Sequence, residues 1–126
     1  MSFAGFAAVG VGAALGAWLR WVLGIALNAT VPQLPLGTLA ANLLGGYLIG
    51  LIVAWLEGAA GLAPELRLFL VTGFLGGLTT FSAFSGEAVA LLMQGRYGWA
   101  FAHVGSHLFG SLALTVLGIK TWEWLR

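Results

Sequence analysis

The last apolar stretch of the chain carries four polar residues at strict intervals of four: His103, His107, Ser111 and Thr115. On a helix, residues four apart lie on one face, so these side chains form a single polar stripe. Such a stripe lines water, a pore or another polar helix. Two histidines four apart can share a zinc ion, but no Asp, Glu or Cys on the stripe supplies a third ligand. A serine–histidine nucleophile is equally poorly supported, because the stripe holds no carboxylate to orient the imidazole.

Two further pairs of residues could contact a ligand inside the membrane. Thr38 and Asn42 are four apart and share one face of the second apolar stretch. The Asn42 amide can donate and accept hydrogen bonds, which suits either a ligand or a contact between helices. Phe81 and Phe84 share one face of the third stretch. The positive edges of their rings could contact an anion, with ordinary core packing as the alternative.

Residues 72–80 (TGFLGGLTT) place three glycines and three threonines in the middle of the third apolar stretch. Because paired glycines disfavour a regular helix, we expect Gly73, Gly76 and Gly77 to open it, with threonines satisfying the freed backbone groups. Non-helical backbone in a bilayer is tolerated only where it is buried in protein or lines a cavity. Freed carbonyls there can bind a cation. A glycine-packed kink is the alternative, and we favour a functional break.

Arg20 lies between Trp18 and Trp21, late in the first apolar stretch. It is either an interfacial arginine flanked by the tryptophans of an aromatic belt, or a charge that attracts anions to a vestibule. The two roles are compatible. The other candidate groups are an amide, hydroxyls, imidazoles and ring edges, all without formal charge. This inventory suits a small anion.

The elements that must position these residues are membrane helices. The chain has 126 residues, 60 % of them hydrophobic, with five Lys/Arg and four Asp/Glu and a mean hydropathy of +1.01. A soluble domain carries about 25 % charged residues, so this composition indicates an integral protein of the lipid bilayer. The net charge of +1 argues against nucleic-acid binding, and the absence of cysteine excludes disulfides and thiol chemistry.

Four apolar stretches are long enough to span a bilayer, at about residues 3–27, 36–56, 66–93 and 97–121. We therefore expect an all-α integral membrane protein, with residues 1–126 forming one channel domain of four transmembrane helices. The third helix is predicted to break in mid-membrane. No basic residue precedes the first stretch, so no signal peptide is expected.

The basic residues divide three to two between the two sides of such a bundle: Arg67, Lys120 and Arg126 against Arg20 and Arg96. Under the positive-inside rule, so even a division gives almost no preference for one orientation in the membrane. It leaves two alternatives open. Either the chain inserts in one weakly favoured orientation, or copies insert both ways and pair antiparallel.

Over essentially its whole length, the chain resembles the CrcB/Fluc family of fluoride channels. The resemblance is carried by residues 16–21 (GAWLRW), 37–42 (GTLAAN), 73–85 (GFLGGLTTFSAFS) and 110–113 (GSLA). It implies a passive, highly selective channel that exports fluoride across the inner (cytoplasmic) membrane, and no enzyme activity. It also implies an antiparallel, dual-topology homodimer with two pores, each built from both subunits.

The resemblance extends to individual positions. The matching pore and vestibule residues are Phe81, Phe84, Asn42, Ser111, Thr38 and Arg20. Gly76 and Thr79 match positions whose backbone carbonyls coordinate a structural sodium ion (Na⁺) at the dimer interface.

Histidines occupy two positions of the stripe where some relatives carry tyrosine and serine, namely His103 and His107. Since imidazole titrates near neutral pH, pH-dependent conduction is a hypothesis. Fluoride efflux at about pH 6 and about pH 8, for wild type and His107→Ala, would test it.

The main alternative is a small dual-topology multidrug or cation exporter, which has the same length, span count and antiparallel pairing. It is disfavoured because proton-coupled cation transport needs a membrane carboxylate and the first span has none. A structural membrane subunit without transport activity is disfavoured by the polar stripe.

Overall fold

The chain folds entirely into helices, and four of its helical stretches are long and apolar enough to cross a membrane. The structure, a computed structural model, describes residues 1–126. The elements are α1 (Phe3–Leu27), α2 (Leu36–Gly58), α3 (Pro64–Arg67), a π-helical segment (Leu68–Leu75), α4 (Gly76–Leu78), α5 (Phe81–Met93) and α6 (Tyr97–Leu125). Together the segments of Pro64–Met93 form the third span. The prediction of an all-α protein with four membrane-spanning helices is confirmed.

Two helices extend beyond the apolar stretches from which they were predicted. The sequence predicted ends near residues 56 and 121, whereas α2 ends at Gly58 and α6 at Leu125. The additional turn of α6, residues 122–125, includes Glu123, whose carboxylate lies 3.2 Å from the ammonium group of Lys120 in the preceding turn. Ion pairs at this i,i+3 spacing support a helix in water, so α6 persists past its apolar residues.

The turn between α1 and α2 is held by one asparagine. Asn28 Oδ1 accepts hydrogen bonds from the backbone N–H groups of Gly37 (2.8 Å) and Thr38 (3.2 Å). Helix α2 has no side-chain cap of its own, since Pro35 occupies that position. Asn28 therefore satisfies two of the N–H groups that the first turn of a helix leaves free.

Glycines bring α1 into backbone contact with the third span. A Cβ atom on Gly12 or Gly16 would collide with backbone atoms of Phe74, and one on Gly77 would collide with the backbone of Ala13. Small residues at such crossings let helices pack closely in a bilayer. These close-approach glycines therefore pack helices within one subunit.

Glycines also bring α2 into backbone contact with α6. A Cβ on Gly50 would meet the carbonyl of Thr115, and a Cβ on Gly118 would meet the carbonyl of Tyr47. The Tyr47 hydroxyl also donates to Thr121 Oγ1 at 3.0 Å. The glycine contacts and this hydrogen bond together set the register of α6, and hence of its polar stripe, against α2.

The expectation that Gly73, Gly76 and Gly77 open the third span is wrong, because all three lie in helical segments. Gly73 and Gly77 remain helical where they pack against α1, since that contact requires their missing side chains. Extended backbone occurs instead at Thr79 (φ −86°, ψ 156°) and Thr80 (φ −149°, ψ 120°).

The side chains of both threonines bond to the backbone at this point. Thr79 Oγ1 donates to the carbonyl of Leu75 at 2.8 Å. Thr80 Oγ1 accepts from the N–H of Ala83 at 3.1 Å, which makes Thr80 the N-cap of α5. As the sequence predicted, threonine side chains satisfy backbone groups beside the non-helical pair.

Candidate functional site

An open groove of about 730 Å³ lies between α2, the third span and α6. No Asp, Glu, Lys or Arg lines it, and its remaining walls are mostly aliphatic. Seven residues singled out from the sequence line it: Asn42, Gly76, Thr79, Phe81, Phe84, His107 and Ser111. Three helical elements that are distant in sequence thus place most of the predicted site around one uncharged space.

Asn42 connects two walls of this groove. Its Oδ1 accepts from the N–H of Thr80 at 2.8 Å, and its Nδ2 donates to the carbonyl of Thr80 at 3.0 Å. The same Nδ2 lies 3.0 Å from Nδ1 of His107 on α6. The amide therefore pairs with the extended backbone of the third span and contacts the polar stripe at once.

Four aromatic rings from α5 and α6 pack together, with Phe84 in the middle. Its ring centroid lies 5.5 Å from Phe81, 5.3 Å from His103 and 4.7 Å from His107. The two histidine rings are 4.5 Å apart. Phe81 is 79 % exposed, so it stands at the open side of the cluster.

His103 is fully buried, at 0 % exposure, and does not line the groove. Its Nε2 lies 3.2 Å from the carbonyl of Phe84 and 3.5 Å from Oε1 of Glu87. The carbonyl of Phe84 only accepts hydrogen bonds, so Nε2 is the donor here.

The two C-terminal residues of the stripe have different surroundings. Ser111 lines the groove. Thr115 does not, because its Oγ1 lies 2.9 Å from the carbonyls of both Gly46 and Ser111 and joins α6 to α2.

A second cavity, of about 400 Å³, holds the two remaining predicted residues, Arg20 and Thr38. Arg20 Nε donates to the carbonyl of Gly77 at 3.1 Å, which ties its guanidinium to the third span. Thr38 is buried, and its Oγ1 donates to Oε2 of Glu87 at 2.8 Å. Arg20 and Glu87 both line this cavity, so it holds a basic and an acidic group, unlike the groove.

Glu87 was not among the site residues predicted from the sequence. It follows Phe84 by three residues and so shares its helix face, which is the signal that could have placed it. The structure sets it beside His103 and Thr38. The carboxylate missing from the stripe of α6 is thus supplied by α5.

Glu87, His103 and His107 each bring one ligating atom to within 4.8 Å of the others. Three buried atoms have no hydrogen-bond partner, namely Oε1 of Glu87, Nδ1 of His103 and Nε2 of His107. Buried polar atoms are rarely unpaired, so these three atoms could bind a ligand, a water molecule or an ion.

Residues 7–119 match the family model described as "CrcB-like protein, Camphor Resistance (CrcB)". The chain belongs to the CrcB family. It is similar to the protein named "Fluoride-specific ion channel FluC" of Nitrosospira multiformis, with 61 % identity over 118 residues, or 94 % of this chain and 92 % of the relative. The protein of that name from Cupriavidus pinatubonensis is 62 % identical over 121 residues, 96 % of each chain. That of Pseudomonas paraeruginosa is 54 % identical over 118 residues, 94 % of this chain and 93 % of the relative.

Membership of the CrcB family confirms the resemblance that the four sequence motifs indicated. The family match spans all four transmembrane helices, and therefore includes every residue of the groove and of the second cavity. The individual pore assignments remain predictions.

Proposed function

We propose that the chain is a passive, highly selective fluoride channel that exports fluoride across the cytoplasmic membrane. The observation that carries this proposal is the match, over nearly the whole length of both chains, to relatives named as fluoride-specific ion channels. Such an activity is ion transport rather than enzyme catalysis.

The groove has the chemistry that a fluoride path needs. Fluoride is small and strongly hydrated, so a selective path must replace its water with closely spaced donors that still release it. Asn42, His107 and Ser111 offer N–H and O–H groups, and Phe81 and Phe84 offer positive ring edges. A fixed cation in the groove would hold the anion too tightly, whereas Arg20, in the neighbouring cavity, raises the local anion concentration.

Flux from liposomes tests the function directly. Purified protein in liposomes loaded with potassium fluoride or potassium chloride, with valinomycin to carry the countercharge, should release fluoride rapidly and chloride hardly at all. Ion-selective electrodes measure both. Equal release of the two anions, or no fluoride release above empty liposomes, would refute a fluoride-selective channel.

The functional unit in this proposal is an antiparallel homodimer with two pores. Two features support it: the groove is open on one side, with the ring of Phe81 standing exposed at its edge, and the basic residues divide three to two across the bundle. A second copy would close each groove with its own apolar surface. Insertion in both orientations supplies the antiparallel pair.

A single introduced thiol tests the orientation, because the chain has no cysteine. In an Ala60→Cys variant, the thiol lies in the exposed loop after α2. A membrane-impermeant maleimide applied to intact cells should label about half of the molecules, and permeabilised cells should show the rest. Labelling near zero or near completion in intact cells would show a single orientation.

A structural sodium ion at the dimer interface completes the proposal, and the backbone fits it. In an uninterrupted helix, the N–H of Thr80 would bond the carbonyl of Gly76, and the N–H of Ala83 that of Thr79. Instead, these N–H groups bond Asn42 Oδ1 and Thr80 Oγ1, respectively. The Gly76 and Thr79 carbonyls have therefore lost their helical donors, and oxygen ligands of this kind suit a hard cation.

Stability in different salts tests the sodium site without relying on transport. The dimer should unfold at a higher temperature in sodium chloride than in potassium chloride of equal concentration, because a bound ion stabilises the folded state. Tryptophan fluorescence of the purified protein reports the midpoint. Equal midpoints in sodium, potassium and N-methylglucamine salts would exclude a specific sodium site.

A further inference from the structure

The backbone of Thr80 fixes which end of the Asn42 amide is the donor. A backbone N–H only donates and a carbonyl only accepts. Oδ1 must therefore face the N–H of Thr80, at 2.8 Å, and Nδ2 must face its carbonyl, at 3.0 Å. The reversed amide would oppose donor to donor and acceptor to acceptor.

The orientation of the amide also determines which ring nitrogen of His107 carries the proton, because the second N–H of Asn42 Nδ2 points to that ring. Nδ2 of Asn42 lies 3.0 Å from Nδ1 of His107. An amide nitrogen only donates, so Nδ1 must accept and carry no proton. In the neutral ring the proton is then on Nε2, the buried nitrogen that has no partner in the subunit.

We propose that Asn42 is a positioning residue that holds His107 in the tautomer protonated on Nε2, so that the ring offers the permeating anion a hydrogen bond. The identity of that anion as fluoride rests on the proposed function. His107 lines the groove and is only 5 % exposed. A buried N–H without an acceptor is unfavourable, and an anion at Nε2 satisfies it. In the other tautomer a lone pair would face the anion and repel it.

The same hydrogen bond argues against a transition-metal centre at Glu87, His103 and His107, although their spacing permits one. A metal at Nε2 of His107 needs the lone pair there and moves the proton to Nδ1. Metal-bound histidines normally donate that second proton to an acceptor. Here it would face an N–H of Asn42 at 3.0 Å.

Nitrogen NMR of the full-length channel reads the tautomer directly. The chain has only two histidines, so protein labelled with ¹⁵N-histidine in lipid nanodiscs shows two ring systems, which a His103→Gln variant assigns. We expect His107 to carry its proton on Nε2 near neutral pH. A proton on Nδ1, or one shared between both nitrogens, would overturn the proposal. The spectrum requires no transport, so this outcome is independent of whether the chain conducts fluoride.

An Asn42→Asp variant tests the control exerted by the amide. A carboxylate oxygen in place of Nδ2 accepts rather than donates, so the His107 proton should move to Nδ1. An unchanged His107 spectrum would show that Asn42 does not set the tautomer.

A matched pair of variants at His107 tests the donor even where Asn42→Asp fails to fold. The amide nitrogen of glutamine reaches about as far as Nε2, and that of asparagine about as far as Nδ1. His107→Gln should therefore pass fluoride about tenfold faster than His107→Asn, the effect expected of one hydrogen bond to a charged group. Equal rates, or the reverse order, would contradict a donor at Nε2.

Discussion

Replacing Phe81 by isoleucine should slow fluoride efflux about 100-fold while leaving the dimer intact, a loss equivalent to about 2.7 kcal/mol in the transport barrier. Isoleucine is apolar and of similar bulk but has no positive ring edge to contact an anion. Phe81 is 79 % exposed on the subunit, so its replacement opens no cavity in the subunit core. Electrode-measured efflux from liposomes gives the rate, and cross-linking before reconstitution gives the oligomeric state.

Phe6→Ile is the matched control. Phe6 is 69 % exposed and lines neither the groove nor the second cavity, so the same substitution there should leave efflux near the wild-type rate. Wild-type efflux by Phe81→Ile would remove the ring edge from the mechanism. Equal losses in both variants would point to a general effect of losing an exposed ring.

Replacing Gly118 by alanine should destabilise the folded protein by about 2 kcal/mol. The added methyl group would meet the carbonyl of Tyr47 on α2, where neither backbone can move without separating the two helices. Separation would also draw His107 and Ser111 away from Asn42, so efflux should fall together with stability. Denaturation in mixed micelles, followed by tryptophan fluorescence, measures the change.

Gly105→Ala makes the same substitution on the same helix and serves as its control. A Cβ at Gly105 has no atom within 4 Å, so no helix has to move. Because alanine favours a helix over glycine by up to about 1 kcal/mol, this variant should be as stable as wild type or slightly more stable. Similar losses at both positions would show that close approach of α2 and α6 is not what Gly118 provides.

Local sequence was enough to predict the four spans, because a bilayer demands about 20 apolar residues wherever a helix crosses it. It was also enough to place the stripe of α6 on one face, since helical periodicity depends on neighbouring residues alone. The position of the non-helical backbone in the third span was predicted only approximately. Glycine propensity pointed to residues 73–77, but packing against α1 keeps Gly73 and Gly77 helical and moves the extended backbone to Thr79 and Thr80.

The sequence by itself determined that this is a membrane protein of four helices, that it carries neutral polar groups within them, and that it has the motifs of the CrcB family. Only the tertiary structure decided which of those groups meet. Asn42 and His107 are 65 residues apart and touch because glycines set the register of α2 and α6. Glu87 joins the histidines from a different helix, and Thr115 turns to a carbonyl instead of the groove. Such pairings depend on how the helices cross, which cannot be read from the periodicity of residues within one helix.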